Sequence, residues 1–114
     1  MIGAANTQSA GVNITPQYSV YLAPSYLHVF SFNGSTTSPL VRSTVNGGVG
    51  AYTYQWAVDN NEITINTPTS ANTTFSAGGF NGIIEGIGTL TVTDTGNGDA
   101  QTLVDIDIQF EFER

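Results

Sequence analysis

Residues 103–113 read LVDIDIQFEFE. Val104, Ile106, Ile108, Phe110 and Phe112 alternate without error with Asp105, Asp107, Gln109, Glu111 and Glu113. Side chains on a strand point to opposite faces in turn, so this stretch is a strand with one core face and one face toward water or a partner. Burying each of the five apolar side chains is worth about 1.5–3 kcal/mol, which makes this strand central to stability.

Working back along the chain, residues 94–99 (DTGNGD) form a hairpin turn, and residues 89–93 (TLTVT) a strand with Leu90 and Val92 inward. Residues 52–58 (YTYQWAV) alternate as well, with Tyr52, Tyr54, Trp56 and Val58 on one face. They follow a glycine-rich turn, residues 46–50 (NGGVG), that needs positive φ. Shorter strands are expected at residues 40–45, around Ile63 and Ile65, and at 73–76. Near the start, YSVYL (18–22) is a strand broken at Ala23-Pro24, where proline cannot donate to a ladder and marks an edge, a bulge or a change of sheet. YLHVFSF (26–32) continues extended, and its face of Tyr26, His28, Phe30 and Phe32 is expected inside, with His28 partly buried. Residues 33–39 read as a loop, and the glycines at 78, 79, 82, 86 and 88 make 78–88 an irregular crossing loop.

Windows with a 3.6-residue apolar period are absent. The expectation is an all-β, immunoglobulin-like antiparallel β-sandwich of seven to eight strands, two sheets packed face to face. Its core anchors are Tyr54, Trp56, Leu90, Val92, Ile106, Ile108 and Phe110. The 114 residues make one domain, 13–114, behind a mobile polar arm at 1–12.

Composition narrows the function. Charged residues are 10 % of the chain and aromatics 11 %, which fits a packed interior. Nine acids face two arginines, Arg42 and Arg114, for a net charge of −7. That charge repels phosphate backbones and anionic lipids, so no nucleic acid and no membrane is expected as partner, while a basic surface is favoured. The absence of cysteine excludes disulfides, cysteine nucleophiles and thiolate metal sites. Residues 1–11 have no basic stretch and no long apolar run, so a secretory signal is not expected and synthesis in the cytoplasm is.

The candidate sites are few. Asp94, Asn97 and Asp99 offer oxygen ligands at a spacing like that of calcium loops, yet the same residues are good turn formers, and the hairpin reading is preferred. Asp105, Asp107, Glu111 and Glu113 lie on one exposed strand face, which provides no pocket to raise one carboxyl's pKa for glycoside chemistry. His28 stands alone, with no ligand set for zinc and no nucleophile elbow for a triad. Tyr18, Tyr21 and Tyr26 are a candidate interface patch. No cofactor is implied, and no enzyme activity is expected.

Two motifs resemble the immunoglobulin-like superfamily, closest to polycystic-kidney-disease-type and bacterial Ig-like modules. One is VNGGVGAYTYQW (45–56), a Gly-Gly turn before a strand carrying a tryptophan; the other is GTLTVTD (88–94), similar to the family's sixth strand, with Gly98 in the turn after it. The resemblance covers residues 14–113. It departs after Trp56, where Asp59-Asn60-Asn61 stands in place of the family's Gly-Asp-Gly turn, and it lacks the cysteine pair of antibody domains. The resemblance implies that Trp56 packs between the sheets. It also implies a non-enzymatic binding or structural role of the kind found on tailed-phage virions, such as a capsid decoration or head-fibre protein bound to the major capsid protein or another virion protein. The alternative is an adhesin or carbohydrate-binding module from a larger bacterial surface protein, reading a cell-surface glycan through Tyr52, Tyr54 or Trp56 if these are exposed. Oligomeric state stays open.

Overall fold

A computed structural model describes residues 17–78 and 82–113. The expected arm at 1–12 lies outside the described residues. No α-helix occurs among those described; the chain is all-β, in several sheets compatible with a β-sandwich. Its strands are β1 (Tyr18–Ala23), β2 (Tyr26–Ser31), β3 (Ser35–Thr37), β4 (Val41–Gly47), β5 (Tyr52–Val58), β6 (Thr64–Ile65), β7 (Asn72–Thr73), β8 (Phe75–Gly78), β9 (Gly82–Asp94) and β10 (Ala100–Phe112). One sheet has the order β2-β10-β9-β5; two smaller ones run β1-β4-β7 and β3-β8-β6.

The last strand behaves as its pattern demands. Ile106, Ile108, Phe110 and Phe112 are buried, Val104 is half-buried near the hairpin end, and the acids stand outward. β10 pairs with β9 on one side, from Ala100↔Asp94 to Phe112↔Gly82, and with β2 on the other. The core is one cluster drawn from all three sheets, including Val20, Val41, Leu27, Trp56, Phe75 and Leu90.

Several expectations need correction. Among the described residues the strands number ten: Ser35–Thr37 pairs with β8 inside the expected 33–39 loop, and the expected strand at 73–76 is divided at Thr74 between two sheets. The pairing is not wholly antiparallel. β1 runs antiparallel to β4, the chain changes sheet at Pro24, and β2 continues onward to lie parallel to β10.

The face of β2 is reversed. Leu27 and Ser31 are buried and Val29 half-buried, while Tyr26, Phe30 and Phe32 are exposed, Tyr26 at 66 %. The register decides this: Leu27, Val29 and Ser31 sit opposite Ile108, Phe110 and Phe112, the buried residues of β10. An edge strand must present the same face to the core as the strand it joins, whatever side chains it carries.

The expected loop at 78–88 is also a strand from Gly82 onward, with 79–81 outside the described residues. Gly88 faces inward there, and a Cβ on it would lie 3.0 Å from Ile106 Cγ2 and 3.1 Å from Ile108 Cδ1. This glycine marks close packing rather than a bend.

Candidate functional site

The turn at 94–99 is built on Asp94, which is fully buried. The Val49 N–H donates to its Oδ2 and the Gly50 N–H to its Oδ1, both at 2.8 Å. One carboxylate therefore closes the NGGVG turn, where Gly47, Gly48 and Gly50 all have positive φ as expected. The Thr95 N–H and hydroxyl both donate to Ala51 O, at 2.9 and 2.8 Å. Gly96 packs so closely on this turn that a Cβ would fall 1.9 Å from Gly50 O. Asp94, Asn97 and Asp99, the calcium candidates, thus belong to a turn-on-turn contact in which both Asp94 oxygens face backbone amides. No group of three His, Cys, Asp or Glu that could hold a metal ion occurs among the described residues.

The aromatic face of β5 turns inward. Trp56 is 2 % exposed, its Nε1–H donates to Ser70 O at 2.7 Å, and its ring meets Phe75 edge-on at 5.8 Å. Tyr52 and Tyr54 are half-buried against the core, so Tyr54 is a flank of it rather than a fully buried anchor. Trp56 therefore has no face open to a sugar, and Tyr52 and Tyr54 are only half open. The Tyr52 hydroxyl donates to Gly47 O. Desolvation, and after it the Asp94 carboxylate, raise the Tyr52 phenol above its ordinary pKa of 10.0. The folded state then holds this proton more tightly than the unfolded chain does. The resulting stability is fully present below pH 10 and is lost as pH rises through the raised value. Urea midpoints measured across that range should fall for the wild type, and Tyr52→Phe should show a shallower fall.

The tyrosines proposed as a patch do not converge. Tyr18 is half-buried and its hydroxyl donates to Val92 O at 2.9 Å, Tyr21 is exposed on β1, and Tyr26 belongs to the four-stranded sheet.

What the fold does assemble is the outer face of that sheet. Register places Phe30, Glu111 and Ile83 in one row across β2, β10 and β9, then His28, Gln109 and Glu85, then Tyr26, Asp107 and Ile87. Phe30 and Phe32 pack edge to face at 4.9 Å in the open, and Ile83 and Ile87 are exposed beside the acids. His28 is exposed rather than partly buried, with Nε2 3.3 Å from Glu111 Oε1. Asp105 accepts a bond from the Thr89 hydroxyl at 2.9 Å. Arg42 lies in another sheet, so among the described residues this face carries no lysine or arginine.

An open trough of about 1080 Å³ crosses the face at the two lower rows, lined by Tyr26, His28, Glu85, Asp107, Gln109 and the loop after β5. Asp59 holds that loop down, its Oδ1 accepting the Ile87 N–H at 2.7 Å, and Asn60 Nδ2 donates to Glu85 O at 2.9 Å. Sequence reasoning missed Ile83, Glu85 and Ile87 because 78–88 read as a loop. The available signal was their alternation with Ile84, Gly86 and Gly88, in which two glycines stand where apolar side chains usually mark the period. Comparison of the chain with protein-family models, with curated proteins and with solved structures finds no match.

Proposed function

We propose that this chain is a non-enzymatic, immunoglobulin-like sandwich that attaches to a protein assembly as an accessory component of a virion, in the manner of a capsid decoration or head-fibre protein. The observation that carries the attachment reading is the cluster of Tyr26, Phe30, Phe32, Ile83 and Ile87, exposed together on one sheet face. Large apolar side chains gathered on an exposed surface mark interaction sites. The Ig-like reading draws support from a first strand that changes sheet at Pro24, from β2 running parallel to the last strand, and from a buried tryptophan on β5. The virion reading draws on the resemblance of the 45–56 and 88–94 motifs and on the acidic composition.

Tagged chain expressed during infection should co-sediment with capsids and appear in purified virions by mass spectrometry. The double variant Phe30→Ser/Ile83→Ser should remain folded and lose most of that co-sedimentation. Recovery of the wild type in the soluble fraction alone would overturn the reading.

A further inference from the structure

Two carboxylates in the trough are used by nothing among the described residues. Glu85 on β9 and Asp107 on β10 have no side-chain hydrogen bond or ion pair among the described residues. Glu85 stands opposite Gln109 and Asp107 opposite Ile87, so the two acids are diagonal neighbours across the ladder. That relation sets them about 7 Å apart. A planar guanidinium can span such a gap, donating to one carboxylate from each side, whereas an ammonium is a compact point charge. Tyr26 stands directly across β10's other edge from Asp107 and is largely exposed, so its ring is available to a cation held there. Asp59 and Glu111 add charge of the same sign nearby, and no lysine or arginine of the described residues competes.

We infer that the trough takes an arginine side chain of the partner protein, held between Glu85 and Asp107 beside the Tyr26 ring. The inference rests on the reading of this sheet face as the attachment surface, and supplies the chemistry its partner must offer.

Isotope-labelled full-length chain titrated with a tetra-arginine peptide tests it by NMR. Amide shifts should centre on Tyr26, Glu85 and Asp107, and tetra-lysine should bind at least fivefold more weakly. The double variant Glu85→Gln/Asp107→Asn should lower affinity for tetra-arginine at least tenfold. Asp99→Asn/Glu113→Gln, which removes the same charge from exposed positions away from the trough, should change it less than twofold. Equal loss in both double variants would reduce the effect to net charge and overturn the inference. So would equal binding of the two peptides, or shifts at these amides with a neutral oligosaccharide and none with tetra-arginine. Capsid co-sedimentation separates the two readings. If Glu85→Gln/Asp107→Asn still co-sediments fully, attachment stands and the arginine pocket falls. If the wild type never co-sediments yet discriminates the peptides and double variants as stated, the pocket stands and the virion reading falls.

Discussion

Replacing Trp56 with alanine is expected to cost about 3–5 kcal/mol, the range for removing a large aromatic from a packed core. Typical domains hold about 5–15 kcal/mol in all, so the variant should be largely or wholly unfolded at modest urea. The size of the effect follows from its contacts. The indole is 2 % exposed, pairs in register with the fully buried Leu90, meets Phe75 edge-on and donates to Ser70 O. Urea denaturation of the two proteins gives the difference directly. Because Trp56 is the sole tryptophan, native fluorescence should be blue-shifted and poorly quenched by acrylamide. A red-shifted, fully quenchable emission from folded protein would contradict its placement.

The second large effect is expected at Asp94. Alanine there leaves the Val49 and Gly50 amides without the acceptors they now have at 2.8 Å. Hydrogen bonds to a charged group contribute about 1.5–3 kcal/mol each, so Asp94→Ala should cost about 3 kcal/mol or more. Asparagine, which keeps one acceptor oxygen, should fall between the two. Neither calcium nor chelator should shift the wild-type melting temperature, because the carboxylate already serves the turn. Unchanged stability in Asp94→Ala would refute the clamp, and a melting point that rises with calcium would refute the turn's independence of metal.

The parts of the fold that could be read in advance are those where side-chain pattern and environment agree. β10 declares itself because every second residue from Ile106 to Phe112 is apolar and buried, and β5 because Trp56 and its neighbours share a face. β9 stayed hidden over its first half because Gly86 and Gly88 occupy inward positions where bulk would clash. β2 was assigned the wrong face because its aromatics outweigh Leu27, Val29 and Ser31 in hydrophobicity, while the choice belongs to its neighbour's register. Both failures fall on the outer sheet face, so the candidate site was the least legible part of the molecule. Asp94 illustrates a different limit. Its residue type fits both calcium ligation and turn formation, and the approach of the Val49 and Gly50 amides shows what its carboxylate does in the fold.

The position of β10 in the sheet sets a timetable for synthesis. β2 finds its pairing neighbour only in residues 107–112, whereas β5 can pair with β9 as soon as that strand exists. At ordinary translation speeds the interval between making β2 and making its partner is on the order of 4–16 s. Throughout it, a strand bearing Tyr26, Phe30 and Leu27 waits without its ladder, and such segments pair readily with the same segment of another nascent chain. Ribosomes closely spaced on one message would hold many copies of β2 in that waiting state at once, and the yield of correctly closed chains should depend on how quickly the final hairpin follows.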